Sequence, residues 1–243
     1  VYSRAAGLAG EYDHLRSGRA IREMVDAEVR YLLVGSDLDA LDDAVDTLHA
    51  NLYRIGLGKL VTIGFDNSER WAYARVQAIP DVEVSQSRGP RIVPKIIPFR
   101  CEPAWRGTLQ TLSHTFTASG QTWVVANPGS IEADIVVVQI KSNSAAGFTN
   151  PKLTNETNGY VFQSTRDAAS ANSEIKMDAS LDYPVLYSND NGASYSNDFS
   201  NYVIQPTQPL LSFVLEPGNN TIRLESDGVV SCDVVLTFNP LYL

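Results

Sequence analysis

The longest helical pattern in the chain lies in residues 36–56. Its apolar residues recur at steps of three and four, which places them on one side of an α-helix. We call this set the helix stripe; it consists of Leu38, Leu41, Val45, Leu48 and Leu52. Four aspartates fall off the stripe and are expected to face water: Asp39, Asp42, Asp43 and Asp46. The pattern therefore predicts an amphipathic helix over residues 37–55.

The two ends of this helix carry signals of their own. Ser36, with Asp39 three residues later, resembles a capping box, and acidic residues in a first turn are favoured by the helix dipole. Gly56 stands where a glycine commonly ends a helix. No comparably long helical pattern occurs elsewhere in the sequence, so this helix is predicted to cover one side of a mostly β domain.

Strand patterns surround the helix. Residues 1–22 are expected to form an extended arm or an irregular strand, and residues 24–34 partly alternate as strands do. Residues 59–65 and 70–79 are β-rich runs joined by four turn-forming residues, which predicts a hairpin. Residues 91–100 predict a further strand. Because Pro94 and Pro98 lack the N–H that a sheet ladder uses, we expect this strand to be an edge or bulged strand.

The second half of the chain has short strands and long polar loops. Strand patterns fall at residues 111–117, 121–126, 134–140, 211–215, 220–225 and 229–238. Residues 142–205 hold 19 Asn and Ser, interrupted by short apolar runs at 160–162, 175–177 and 184–187. This arrangement is typical of a β-sandwich. The fold class predicted for the whole chain is mainly β, with one amphipathic helix.

The charge distribution divides the chain in two. Residues 1–107 hold 14 Lys and Arg against 15 Asp and Glu, a net charge of −1, whereas residues 108–243 hold 5 against 13, a net charge of −8. We therefore predict two domains, residues 1–107 and residues 108–243, with different surfaces. An acidic chain without a basic cluster is poorly suited to gripping phosphates. No apolar run approaches the length of a membrane span.

The residues that carry chemistry form no catalytic or metal-binding pattern. The two cysteines, Cys101 and Cys232, lie in apolar strand patterns and are interpreted as reduced core thiols rather than a disulfide. The three histidines have no partner at metal-ligand spacing, and residues 189–192 are interpreted as a turn rather than a calcium loop. We therefore expect no catalytic residues, no cofactor and no metal.

One group of aromatic residues leaves a binding function open. Five of them lie among polar loop residues of the second domain: Trp123, Tyr160, Tyr187, Tyr195 and Tyr202. Aromatic faces beside Asn side chains suit sugar rings, and Tyr160, Tyr195 and Tyr202 are the candidate sugar contacts. The alternative, which we favour here, is structural: Trp123 and Tyr187 in the core and the others covering loops.

The order of several short motifs resembles that of a distal tail protein of long-tailed, non-contractile bacteriophages. The first domain shows, in order, a strand, an acidic amphipathic helix, a hairpin and the closing strand PFRCEPAW at residues 98–105. In the second domain, ANPG at residues 126–129 and LEPGNNTI at residues 215–222 resemble the galectin-like sandwich of that family. The resemblance implies an N-terminal β-barrel or β-sandwich domain followed by a galectin-like, jelly-roll-type sandwich.

The same resemblance implies a structural role in the virion. Such proteins form a hexameric ring between the tail tube and the tail tip or baseplate hub, let DNA pass without binding it specifically, and are not enzymes. The implied partners are the tail tube protein, the tail-tip or baseplate hub protein and a receptor-binding protein, in particles assembled in the bacterial cytoplasm and without membrane insertion. The alternative is a carbohydrate-binding module or host-surface adhesin, which leaves the first domain unexplained.

Overall fold

The fold was analysed in a computed structural model. It describes residues 2–3, 12–13, 24–54, 56–64, 66–78, 91–143, 147–168, 170–179, 181, 184–228 and 230–243. The arm predicted for residues 1–22 lies largely outside this described part of the chain. Within it, the chain divides into two compact units between Trp105 and Arg106.

The first unit is built from one helix and a set of antiparallel strands. In chain order its elements are β1 (Tyr2–Ser3), β2 (Tyr12–Asp13), β3 (Val25–Gly35), α1 (Leu38–Arg54), β4 (Gly58–Ile63), β5 (Glu69–Val76) and β6 (Arg91–Cys101), with β7 (Trp105–Arg106) at the division. The short strands β1 and β2 pair with each other. The main sheet runs β4-β5-β6-β3, with β7 also beside β5, and α1 packs against β3.

The helix begins one residue later than the capping-box pattern predicts. Asp37, not Ser36, is the capping residue: its Oδ1 accepts a hydrogen bond from the Ala40 N–H at 2.8 Å, and its carbonyl accepts the Leu41 N–H at 3.2 Å. The Ser36 hydroxyl donates to Asp37 Oδ2 at 3.2 Å instead. The choice of Ser36 was therefore wrong, because a carboxylate next to it is an equally good cap.

The strand with the two prolines is not a simple edge. Strand β6 pairs with β3 over eleven residues and with β5 from Phe99 to Cys101, so the predicted edge holds only for residues 91–98. Gln77 N donates to Pro98 O at 2.9 Å, which places the carbonyl of Pro98 on the side away from β3. The N and O of a strand residue point to the same side, so the nitrogen of Pro98 also points away from β3. Pro94, four residues earlier, has the same orientation. Neither proline therefore removes a hydrogen bond from the β3–β6 ladder.

The second unit is a β-sandwich. Its strands are β8 (Gln110–Phe116), β9 (Thr122–Asn127), β10 (Ala133–Ser142), β11 (Phe148–Thr149), β12 (Lys152–Asn155), β13 (Tyr160–Gln163), β14 (Asp167–Ala168), β15 (Glu174–Asp178), β16 (Val185–Ser188), β17 (Ser196–Asn197), β18 (Val214–Leu215), β19 (Gly218–Glu225), β20 (Cys232–Phe238) and β21 (Leu241–Tyr242). A short 3₁₀ helix covers Phe199–Asn201. The larger sheet runs β17-β16-β15-β10-β20-β8, with β18 also on β10; the smaller runs β13-β12-β19-β9.

The core of the second unit lies between these two sheets. Alternating residues of both sheets point inward and are fully buried, among them Ile140 and Leu236 from the larger sheet and Leu153 and Ile222 from the smaller. This alternation is the period-two pattern that the sequence shows. The mainly β class and the sandwich are thereby confirmed.

The strand predicted at residues 211–215 is shorter in the structure. Residues 211–213 are not in a strand, and β18 begins only at Val214. Leu211 has a φ of 58°, in the left-handed region, and Ser212 N donates to Pro209 O at 3.2 Å. This turn ends the apolar run that resembled a strand.

Candidate interaction surfaces

The outward side of the β4–β5 hairpin exposes apolar side chains. Cross-strand partners share a face of a sheet, and the register pairs Lys59 with Tyr73 and Val61 with Trp71. Val61 is 50% exposed and Ile63 is 63% exposed on this face, whereas Ala72 and Ala74 on the opposite face are buried. We call Lys59, Val61, Ile63, Trp71 and Tyr73 the hairpin face. It is a candidate protein contact, since exposed apolar groups gathered on one strand pair are typical of interaction surfaces.

Aromatic contacts order the hairpin face. The Trp71 and Tyr73 rings meet edge to face, with centroids 5.2 Å apart, and the Lys59 ammonium lies 4.1 Å from the Trp71 centroid. The turn is fixed by Asp66, which accepts hydrogen bonds from Ser68 N at 3.0 Å and Arg70 Nη2 at 3.0 Å. The hydrogen bonds from Ser68, above all, lower the pKa of Asp66 to about 2.

The helix stripe lies mostly inside the first unit. Leu41 is fully buried, and Val45 and Leu52 are buried, while Leu48 is half-buried. Leu38 lies in the helix, but its side chain is outside the described residues. Asp39, Asp42, Asp43 and Asp46 are exposed. The stripe therefore serves packing and leaves an acidic helix surface toward water.

The three tyrosines that were candidate sugar contacts have different surroundings. Tyr202 is only 7% exposed and packs against Phe162 and Phe199, so its assignment as a sugar contact was wrong. Tyr160, on β13 of the smaller sheet, packs partly buried against the core. Tyr195 is 40% exposed and directly precedes β17 of the larger sheet. The structure does not bring the three together. Trp123 and Tyr187 pack partly buried on the core, as the structural interpretation expects.

Three buried asparagines hold one end of the sandwich, a role that sequence reasoning missed. Asn220 Nδ2 donates to Glu216 O at 2.8 Å and to Gly218 O at 3.1 Å, and its Oδ1 accepts from Glu216 N at 2.8 Å. Asn127 Nδ2 donates to Leu215 O at 3.2 Å, and Asn155 Nδ2 donates to Val214 O at 2.7 Å. Asn127 and Asn220, from the motifs ANPG and LEPGNNTI, and Asn155, from outside both motifs, thus satisfy the backbone of a single segment, residues 214–218.

A buried ion pair holds a second loop. Arg166 Nε donates to Asp198 Oδ2 at 3.2 Å, Arg166 Nη2 pairs with Asp198 Oδ1, and Asn201 Nδ2 donates to the same oxygen at 2.7 Å. The guanidinium also lies 4.2 Å from the Tyr187 ring centroid. The hydrogen bond with Asp198 is the main cause that raises the pKa of Arg166. This cluster fixes the 3₁₀ helix. Both oxygens of Asp198 already accept hydrogen bonds within the protein, so the cluster needs no ligand to complete them.

The described residues contain no group of three or more His, Cys, Asp or Glu that could hold a metal ion. The His114 ring stacks on the Trp123 ring with centroids 5.5 Å apart, so His114 packs against an aromatic side chain of the sandwich. Cys101 and Cys232 are free and buried, and burial raises the pKa of both thiols, that of Cys232 to about 12. No helix in the described part of the chain is long and apolar enough to cross a membrane.

The fold of the chain is similar to that of solved bacteriophage proteins. The crystal structure of SPP1 Dit (gp 19.1), a paradigm of the hub adsorption apparatus in phages that infect Gram-positive bacteria, matches 100% of this chain and 87% of its own length, with a TM-score of 0.58 and 13% identity. Two structures of the activated phage p2 baseplate, with strontium and with calcium, match 97% of this chain and 84% of their own, with 12% and 11% identity and TM-scores of 0.37 and 0.36.

The comparisons by sequence give nothing further, because no family model and no curated protein matches the chain. The likeness to SPP1 Dit extends over both units. The resemblance to distal tail proteins, first drawn from short motifs, is therefore confirmed at the level of the fold.

Proposed function

We propose that the chain is a distal tail protein of a siphophage: a structural virion component, not an enzyme, that joins the tail tube to the tail tip. The observation that carries this proposal is the fold shared with SPP1 Dit over the whole chain, both units included. The alternative function, a free carbohydrate-binding module, would explain the fold of the second unit but not that of the first.

The proposed assembly is a hexameric ring formed through the first unit. Its sheet ends in β4 on one side and β3 on the other, and within the described residues neither strand has a second neighbour in the main sheet. Unpaired strand edges must be covered, and closure of a ring removes them. The exposed apolar residues of the hairpin face lie on the β4 edge and support a protein contact there. The number six comes from the family resemblance.

The charge of the two units suits such a ring. Residues 1–107 carry a net charge of only −1, so protomers approach one another without strong repulsion, and a wall of this charge attracts passing DNA weakly. Residues 108–243, with a net charge of −8, suit a solvated outer position. The proposed partners are the tail tube protein, the tail-tip or baseplate hub protein and a receptor-binding protein, in the tail tip of a virion assembled in the bacterial cytoplasm.

Native mass spectrometry and negative-stain microscopy test the ring. A hexamer of the 26.6 kDa chain has a mass of about 160 kDa. We expect Ile63→Asp to abolish the ring, since it replaces an exposed apolar side chain of the hairpin face with a carboxylate. We expect Val124→Asp, at an exposed position of the second unit, to leave the ring intact. A chain that stays monomeric at high concentration and also fails to join isolated tail-tube ends contradicts the proposal.

A further inference from the structure

Tyr195 combines an exposed ring with a fixed hydroxyl. The ring is 40% exposed, while its hydroxyl donates a hydrogen bond to Glu174 Oε1. Glu174 is only 2% exposed, and its other oxygen accepts from Gln139 Nε2 at 2.9 Å. Because the acceptor is itself buried and held, the ring cannot turn away without breaking this hydrogen bond. The side chain is thus held in place before any ligand arrives.

The loop that carries Tyr195 is also closely specified. Gly192 has a φ of 79°, and a Cβ at this position would lie 2.8 Å from Glu174 Oε1 and 3.0 Å from the Tyr195 hydroxyl. Asp190 accepts hydrogen bonds from Ser188 Oγ at 2.6 Å and from Ser194 N at 3.0 Å. These bonds lower the pKa of Asp190 to about 2, so this exposed carboxylate is ionised at neutral pH.

Exposed asparagines lie on the same loop and its neighbour. Asn189 and Asn191 belong to the Tyr195 loop, and Asn191 N donates to the carbonyl of Asn172 at 2.9 Å, which joins the two loops. All three side chains are exposed. A carboxamide offers both donors and an acceptor, which is what sugar hydroxyls require.

We propose that this surface, formed by the ring of Tyr195 with the side chains of Asp190, Asn172, Asn189 and Asn191, binds a saccharide. The ring offers a rigid apolar platform to the C–H face of a pyranose at low cost in side-chain entropy. The carboxamides and the Asp190 carboxylate bond its hydroxyls. This binding function goes beyond the ring proposed above and does not depend on it.

The charge of the surface selects the class of saccharide. Asp190 is anionic, and the ammonium of Lys176, 5.8 Å from the Tyr195 ring centroid, is paired with Asp178 at 2.9 Å. Residues 108–243 as a whole carry a net charge of −8. Glycans with carboxylate, phosphate or sulfate groups are repelled. Neutral hexoses and amino sugars are the expected ligands.

A glycan array with neutral, amino and anionic glycans, followed by calorimetric titration of the bound glycans, tests the proposal on the full chain. We expect binding of neutral or amino glycans that falls at least about tenfold in Tyr195→Ala, a loss of about 1.4 kcal/mol. Tyr195→Phe keeps the ring and retains part of the affinity. Val124→Ala, on the outward side of the other sheet, binds as the unmodified chain does.

Asn172→Ala provides a second test, because the side chain is exposed and the variant keeps the backbone carbonyl that accepts from Asn191 N; we expect it to weaken binding as well. The proposal is overturned if no neutral or amino glycan binds, if anionic glycans are preferred, or if both Tyr195→Ala and Asn172→Ala keep full affinity. Particle mass is measured separately, so a failure here leaves the ring proposal standing.

Discussion

The Asn155 side chain donates a hydrogen bond from Nδ2 to Asn220 Oδ1 at 3.0 Å, and both side chains are fully buried. Each amide also bonds the backbone: Asn155 Oδ1 accepts from Thr157 N at 3.1 Å, and Asn220 Oδ1 accepts from Glu216 N at 2.8 Å. The pair therefore joins two turns at one end of the sandwich. In a buried site each lost partner leaves a polar group without water to replace it.

The first prediction concerns this pair. Asn220→Ala removes three backbone hydrogen bonds and leaves Asn155 one acceptor short, so we expect the free energy of unfolding to fall by at least about 2 kcal/mol. Asn219→Ala, an exposed neighbour on the same strand, is the matched control and should cost less than about 0.5 kcal/mol. Urea unfolding followed by circular dichroism measures both. Equal effects would mean that the buried amide does not hold the turn.

The second prediction concerns the helix stripe. Leu41 is fully buried, so Leu41→Ala should destabilise the first unit by about 2–5 kcal/mol through lost burial and the cavity left behind. Asp43→Ala, on the exposed side of the same helix, should cost less than about 0.5 kcal/mol. The two variants can be compared by thermal unfolding. A small loss for Leu41→Ala would show that the stripe is not what holds the helix to its sheet.

The third prediction uses the asymmetry of the Arg166–Asp198 pair. The Asp198 side chain is 1% exposed and that of Arg166 is 32% exposed. Loss of the arginine therefore leaves a buried carboxylate without its cation. Arg166→Met should therefore cost about 3–5 kcal/mol. Asp198→Asn should cost less, because it removes the buried charge and lets the arginine reach water.

Arg223→Met is the control for this comparison. Arg223 pairs with Glu156 at 3.2 Å between side chains that are 42% and 39% exposed, and such pairs contribute about 0–1 kcal/mol. Chemical denaturation of the three variants ranks their losses in unfolding free energy. If Arg166→Met and Arg223→Met proved equally mild, the buried pair would carry no special weight.

Much of the fold follows from the spacing of apolar residues. The period of the helix stripe placed α1 to within one residue at each end, and the alternation at residues 134–140 located β10, because both elements bury one face. Local signals were weaker where two residues compete for one role, as Ser36 and Asp37 do at the helix cap. Residues 211–213 were predicted as part of a strand because their apolar run does not show the left-handed φ of Leu211 or the long-range bond from Gln208 Nε2 to Val161 O at 2.7 Å that holds the preceding segment.

The candidate surfaces depended more on tertiary context. The sequence grouped Tyr160, Tyr195 and Tyr202 by composition, but exposure differs among them because strand pairing sends Tyr202 inward and leaves Tyr195 on a loop. Two members of the asparagine network, Asn127 and Asn220, lie in sequence motifs 85 or more residues apart, and the third, Asn155, lies in neither motif. Which carbonyls these side chains satisfy depends on chain pairing that no local pattern encodes.

The last prediction concerns pH. Burial raises the pKa of the Cys232 thiol from 9.0 to about 12, because the folded protein disfavours the thiolate in its apolar surroundings. A group with a raised folded-state pKa stabilises the fold fully below its unfolded-state pKa, and that contribution is lost as the pH rises toward the folded-state value. The loss therefore begins near pH 9 and proceeds by up to about 1.4 kcal/mol per pH unit.

Cys232→Ala removes this contribution, so the gap in unfolding free energy between the unmodified chain and the variant should shrink by about 1 kcal/mol from pH 8.5 to pH 10. Burial also raises the pKa of Cys101, in the first unit. The Cys101→Ala variant should still lose stability of the second unit at alkaline pH, because it keeps Cys232. Denaturant titrations at several pH values give the unfolding free energy of the second unit for the unmodified chain and for Cys232→Ala, and hence the difference between them. A gap that stays constant across this range would show that Cys232 ionises in the folded protein as readily as in the unfolded chain.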